Sequence, residues 1–371
     1  MKLRSILSII AIFSIFNIFM LYLGWNVWVW LRAVFGWNNP LIYILIFALL
    51  SYSYILGRLL KFSLLSVIGS YWFAFVQYGL LFFPIANATV LLLQWFTIPS
   101  DIAVIWTGTI TLFVFLFLLL YGTFNAYIPV IRHYKVEISK KHPIPELRIA
   151  VASDMHFGQL SGKAHVSRLV KTVNGIKPDL ILFPGDIIDD DPKQFVKKEM
   201  GEVLKQLQAP LGVYGVLGNH EYYGKEIPAF LEEMKKLDIR ILMDEVITID
   251  DSFYLVGRKD KTDSRRKSFS ELVENLDRNL PIIAMDHQPA ELKEAERSGI
   301  DLLFSGHTHR GQMAPNHFIT GKIFELDWGY LQKNNLHAVV SSGFGFWGPP
   351  IRIGSRSEVL EITVKFTEPK V

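Results

Sequence analysis

Asp301-Leu302-Leu303-Phe304-Ser305-Gly306-His307-Thr308-His309 is the stretch that sets the frame for the second half of the chain. Its apolar opening, 301–304, reads as a buried strand. Two imidazoles two positions apart, just past a strand end, project to the same side of an extended backbone. The glycine before them lets the chain come close to whatever they hold. Four other short acid- or His-bearing runs lie upstream, and each also follows an expected strand.

The chain of 371 residues is half hydrophobic, but the average hides a sharp division. Residues 1–121 hold five Lys/Arg and one acid, Asp101, whereas the remainder carries 33 basic and 34 acidic residues. The basic excess therefore flanks apolar segments and does not form a nucleic-acid surface, so no nucleic-acid partner is expected. There is no cysteine, which excludes disulfides and thiolate metal sites.

Residues 6–30 are free of charge and long enough to span a bilayer. A signal peptide also opens on basic residues, here Lys2 and Arg4, but this run is too long and lacks a small-residue cleavage site. Further apolar spans are expected at 41–56, 62–83 and 102–121, with Trp25, Trp28, Trp30, Trp37, Trp95, Trp106 and Tyr121 at their edges, as interfacial belts require. The apolar stretch 85–97 after Pro84 is too short to cross alone, since a span needs about 20 residues. It reads as the end of a long, kinked third helix or as a dip into the interface. Lys2 and Arg4, then Arg58 and Lys61, then Arg132, Lys135, Lys140 and Lys141 fall on one side of a four-helix topology. The positive-inside tendency then makes both termini cytoplasmic.

From about Glu146 the texture changes. Strands are expected at 147–153, 179–183, 212–217, 239–242, 253–256, 282–285, 301–304, 338–341 and 359–366. Helices are expected at 163–175, 194–208, 227–237 and 269–276. This is an α/β pattern, in which ligands gather at the carboxyl ends of strands. The expected organisation is a transmembrane helical region at 1–125, a linker at 126–145 and a catalytic domain at 146–371.

The chemistry sits at five strand ends. Asp154-Met155-His156 offers a carboxylate and an imidazole facing one way. Gly185-Asp186-Ile187-Ile188-Asp189 permits a tight turn, and Asp186 has two oxygens with which to bridge two cations. Asp189 to Asp191 also suits a helix N-cap. In Gly218-Asn219-His220-Glu221, Asn219 is a neutral oxygen ligand and the adjacent His220 stays free to move a proton. His287 follows 282–285, and His307 and His309 close the set. Taken singly, each run reads as readily as a solvated turn. Recurrence after five strands is what turns them into a site.

In this order the blocks resemble the calcineurin-like metallophosphoesterase superfamily. Gly311-Gln312 and the tail from Gly343 to Gly354 look like its YkuE/YaeI-type bacterial branch. The resemblance covers roughly 147–366. It implies an α-β-β-α sandwich of four layers, preceded here by an all-α transmembrane bundle of about four helices. It also implies two divalent metal ions (Mn, Fe or Zn). One would be held by Asp154, His156, Asp186 and His309; the other by Asp186, Asn219, His287 and His307. His220 would be the catalytic histidine and Asp189 the acid that orients it. Arg310 stands where that branch has a second glycine, and is either a phosphate contact or a surface arginine.

The implied activity is hydrolysis of a phosphomonoester, phosphodiester or pyrophosphate. A membrane tether favours a phospholipid or a lipid-linked nucleotide as substrate, because confinement raises local concentration, with a water-soluble substrate such as a cyclic nucleotide as the alternative. Three rivals remain. A protein Ser/Thr phosphatase would carry Arg-Gly where this chain has Asp190-Asp191. A scaffold or sensor with a relic domain is at odds with an intact ligand set. A nuclease would need clustered Lys/Arg, which the near-neutral domain lacks.

Overall fold

In the computed structural model, residues 3–60, 62–140 and 142–368 are described. Lys2, Lys61 and Lys141, on which part of the topology expectation rests, lie outside them. The chain forms two compact units, Met1–Tyr121 and Gly122–Val371.

Four helices dominate the first unit: α1 (Leu3–Phe35), α2 (Pro40–Leu59), α3 (Ser63–Trp95) and α4 (Ser100–Tyr127), whose last turns fall in the second unit. All four are long and apolar enough to cross a membrane. Asn39 caps α2 by accepting the Ile42 N–H at 3.1 Å, with Pro40 in the first turn where a missing N–H costs nothing. The stretch 85–97 resolves in favour of the first reading, because α3 runs unbroken through Pro84. Buried small residues, Ser51, Ser53 and Gly57 on α2 and Ser66, Gly69 and Ser70 on α3, let these backbones approach closely.

The second unit is an α/β sandwich. In chain order its elements are β1 (Val130–Ile138), β2 (Glu146–Val151), α5 (Lys163–Ile176), β3 (Leu180–Pro184), α6 (Pro192–Lys197), α7 (Gly201–Leu204) and β4 (Val213–Val216). Next come α8 (Asn219–Gly224), α9 (Ile227–Lys236), β5 (Ile239–Ile241), β6 (Glu245–Ile249), β7 (Phe253–Gly257), α10 (Phe269–Val273) and β8 (Ile282–Met285). The chain closes with α11 (Leu292–Arg297), β9 (Leu302–Ser305), α12 (His317–Ile323), β10 (Gly329–Lys333), β11 (Leu336–Val340) and β12 (Glu358–Phe366).

Two six-stranded sheets result, ordered β1-β12-β2-β3-β4-β5 and β10-β11-β9-β8-β7-β6. Strands β2 to β5 are mutually parallel, and so are β7, β8, β9 and β11. Strands buried on both faces read as continuous apolar runs, and alternation within them assigns the faces. Ile149, Val151, Leu182, Ile283, Met285 and Phe304 share the core between the sheets. Ala150, Ala152, Ile181 and Phe183 turn outward to Val166, Leu169 and Val173 of α5. On the second sheet, Ala284, Leu303 and Ala338 meet Phe269 and Leu272 of α10 and Leu292 of α11. The order is helix, sheet, sheet, helix.

Several stretches differ from the sequence reading. The span 126–145, expected as a linker, contains β1, a full edge strand paired in parallel with β12 over Val130 to Ile138. The expected helix 194–208 is broken between α6 and α7. There Glu199 has a φ of +49° and Lys198 turns away to give its ammonium to the carbonyls of Gly158, Gln159 and Ser161 at 2.7–3.0 Å. Strands β6 and β10 and helices α8, α11 and α12 were not foreseen.

Candidate metal centre

Every residue singled out in the five blocks follows the carboxyl end of a parallel strand. Asp154 and His156 follow β2, Asp186 follows β3, and Asn219 and His220 open α8 after β4. His287 follows β8, and His307 and His309 follow β9, so both sheets contribute. The loops turn so sharply that Asp154, His156, Asp186, His307 and His309 all have φ between +45° and +72°. That region costs non-glycine residues of order 1–3 kcal/mol each, and such strain collects at functional sites. Gly185 (φ +86°) permits the turn after β3 and leaves space that the His287 ring fills.

The structure brings all seven candidate ligands together. His156 and His309 aim their Nε2 atoms at each other across 3.0 Å. Asp154 Oδ1 is 3.6 Å from His309 Nε2, and Asp186 Oδ2 is 3.8 Å from His156 Nε2. On its other side Asp186 Oδ2 stands 3.2 Å from His287 Nε2. Asn219 Oδ1 joins His287 Nε2 at 3.1 Å and His307 Nδ1 at 2.8 Å. Two donor clusters therefore adjoin, Asp154-His156-His309 and Asp186-His287-His307, with Asp186 also within reach of His156.

Electrostatics sharpen the picture. Burial, aided by neighbouring cationic groups, pushes His156 down to about 3 and His307 to about 4, and holds His309 well below the usual imidazole range. These are neutral rings with lone pairs to give. Burial also presses on His287, but the Asp186 carboxylate beside it outweighs this and holds the ring protonated well above its ordinary value. Burial raises Asp154 to about 6. Neutral imidazoles, an amide oxygen and carboxylates converging in a buried pocket form a donor set that fits hard or borderline divalent cations. The Nδ1–H of His287 donates to the Pro184 carbonyl at 2.8 Å, an outer contact that orients the ring with Nε2 toward Asp186 and Asn219, so a cation held there would take the place of the Nε2 proton.

Three flanking residues carry the geometry. The Glu221 carboxylate accepts the N–H groups of Gly218 (2.7 Å), Ile188 (3.0 Å) and Asp186 (3.2 Å), which ties the loops after β3 and β4 together. The His220 N–H donates to Asp186 Oδ1 at 2.9 Å. The ring Nδ1 of His220 lies 2.7 Å from Asp190 Oδ1 but 3.7 Å from Asp189 Oδ1. The acid that orients His220 is therefore Asp190, not the expected Asp189. Burial depresses His220, but Asp190, Asp186 and Asp189 together raise it to about 9.

Arg352 was not singled out individually from sequence. It has no exposed surface, and burial lowers it to about 10. Nε and Nη2 donate to Gly345 O at 3.0 and 2.6 Å, and Nη1 lies 3.3 Å from Ser355 Oγ and 3.4 Å from Arg356 O. Its remaining N–H reaches His309 Nδ1 at 3.1 Å. Only its place in the glycine-rich tail gave a signal. Arg310 stacks on Trp328 with 4.0 Å between its guanidinium carbon and the ring centroid.

A model of the calcineurin-like phosphoesterase family matches residues 147–311. An uncharacterized metallophosphoesterase of Aquifex aeolicus is 31% identical over 66% of this chain and 95% of its own length. A zebrafish (Danio rerio) transmembrane protein with metallophosphoesterase domain is 30% identical over 67% of this chain, which spans only 60% of that protein. The uncharacterized metallophosphoesterase YkuE of Bacillus subtilis is 26% identical over 61% of this chain and 82% of its own length. The Aquifex protein's identity and nearly complete coverage, joined to the matched blocks around Asp154, Asp186, Asn219 and His307, decide the matter: this chain belongs to the calcineurin-like metallophosphoesterases, metal-dependent phosphoester hydrolases.

Proposed function

We propose that the chain is a membrane-anchored two-metal phosphoesterase acting on a phosphomonoester, phosphodiester or pyrophosphate carried by a membrane lipid or a lipid-linked nucleotide. One divalent ion would be held by Asp154, His156, Asp186 and His309. The second would be held by Asp186, Asn219, His287 and His307, with Mn, Fe or Zn compatible with these donors. The observation that carries this reading is the meeting of seven side chains from five separate loops, with Asp186 within reach of both clusters.

When bound, such ions neutralise phosphoryl charge and lower the pKa of a bound water toward neutrality. The chain's own groups do the rest. Asp186 and Asn219 present oxygens in fixed positions because Glu221 holds the backbone beneath them. His220, with its ring oriented at Nδ1 by Asp190, carries a proton on Nε2 at neutral pH and gives it to the departing ester oxygen.

The positive-inside pattern supports a catalytic unit on the cytoplasmic face. The four apolar helices support a substrate drawn from the bilayer, where tethering raises its effective concentration. The test is Asp186→Asn in the full, metal-loaded chain. Hydrolysis of an aryl phosphodiester falls below detection while circular dichroism stays unchanged; retained turnover would overturn the bridging role.

A further inference from the structure

Among the described residues, the most exposed large apolar side chains of the second unit are Phe318 (67%), Ile323 (66%), Ile319 (60%), Trp347 (59%) and Tyr223 (59%). They are not scattered. The first three sit on α12, a helix with no buried residue. Tyr223 and Trp347 border His220, with ring centroids at 5.6 and 6.3 Å. At the opposite flank, Phe324, which ends α12, lies 6.0 Å from the His307 ring. An apolar rim thus stands on both sides of the metal centre. Single exposed apolar residues need no explanation, whereas a grouped set beside a site marks an interaction surface.

The rim is held in place by a rigid frame. Trp347 is fixed through its backbone by both ends of the Gln312 amide, each at 2.9 Å. Residues leading into α12 pair with the same tail, through Ala314 N–H to Ile353 O at 2.7 Å and Ile353 N–H to Gln312 O at 2.9 Å. That tail is stitched to the last turns of α4. The Arg352 N–H donates to Gly122 O at 2.9 Å, the Asn125 amide donates to Arg352 O at 3.2 Å, and the Ser357 N–H donates to Asn125 O at 2.9 Å. Gly122 has no side chain because Ile351 fills that space. Gly122 to Tyr127 belong to the second unit and also end a helix apolar enough to span a bilayer. The apolar rim is therefore built on the segment that grips the end of a spanning helix.

We propose that α12 and Trp347 form an interfacial seat. Their apolar side chains enter the headgroup–acyl boundary of the bilayer that α4 crosses, with Lys322 of α12 placed to meet anionic headgroups. The metal centre between the two flanks then receives a phosphate ester that stays part of a membrane lipid. This deepens, and for its chemistry rests on, the phosphoesterase reading above.

The chain has no cysteine, so single substitutions give clean probe sites. The full chain carrying Ile319→Cys, Trp347→Cys or, as a solvent reference on α7's far end, Lys205→Cys is nitroxide-labelled in phosphatidylcholine/phosphatidylglycerol nanodiscs. Spin relaxation by oxygen, which partitions into lipid, is compared with relaxation by an aqueous nickel chelate. Oxygen dominates at 319 and 347 and the chelate dominates at 205. Adding Phe318→Glu and Ile323→Glu inverts the ratio at 319. Equal chelate access at 319 and 205 overturns the seat, and so does label–label broadening in discs holding two copies, which would mean that a second copy covers the rim. The substrate half is read separately, by mass spectrometry of the headgroups or phosphate split from the disc lipids, with phosphatidic acid added as a monoester, against hydrolysis of a soluble aryl phosphodiester. Labels in lipid with hydrolysis of the aryl ester alone overturn the lipid-substrate claim and leave the seat standing; hydrolysis of neither defeats the phosphoesterase reading itself.

Discussion

Asp190 illustrates what a single residue decides. Its oxygen, 2.7 Å from His220 Nδ1, is the contact that keeps the imidazole charged despite burial. A proton donor works only while protonated, so the rate falls as pH rises through its pKa. In the native chain the Asp190 contact holds that alkaline limb up. In Asp190→Asn that contact is lost while burial still opposes the charge, and the limb moves to lower pH. Asp189→Asn, whose oxygen is 3.7 Å away, shifts it less. The kcat–pH profiles of the two variants check this. His220→Ala keeps its metal content, measured by elemental analysis, and loses about 10²–10⁴ in kcat. That these seven side chains would meet was legible from sequence because Asp, Asn and His recur just past strand ends that the topology brings together. Which member of Asp189-Asp190-Asp191 turns inward was not legible. It depends on Asp190 sitting at φ +59°, a local backbone choice that adjacent identical side chains cannot report.

At the level of elements, the buried parallel strands were readable because both their faces are apolar. The failures have physical causes. Strand β1 alternates exposed Ile131, His133, Lys135 and Glu137 with half-buried or buried neighbours, which hides a strand inside a charged, linker-like composition. Helix α12 buries nothing and so shows no amphipathic period against a core. The break between α6 and α7 comes from Lys198, whose ammonium satisfies three carbonyls of the loop that follows His156. Burial lowers its pKa, and among the described residues its partners there are carbonyls, not carboxylates. Lys198→Met leaves those carbonyls without a donor and destabilises the catalytic unit by about 1–3 kcal/mol. Thermal unfolding of the full chain in detergent reads this as a lowered transition, together with weaker Mn²⁺ binding because the His156 loop loses its anchor.

For the whole molecule, the two-part plan was written in the distribution of charge, with nearly all of it confined to the second unit. Sidedness rests on the basic flanks of the apolar spans. Ser139→Cys, exposed just after β1, tests it in the otherwise cysteine-free chain. In intact cells a membrane-impermeant maleimide leaves it unlabelled, and permeabilisation makes it reactive; labelling from outside would reverse the topology. The position of β1 carries a further consequence. Only Ile128 and Pro129 separate α4 from this strand, and β1 forms the outer border of its sheet against β12. A protease cutting at 139–145 would not liberate a working enzyme. It would strip the border from the sheet and bare the long flank of β12, an open template for sticking to other chains. Shedding would be a route to inactivation and clumping, because the catalytic unit depends on the very segment that joins it to the apolar helices.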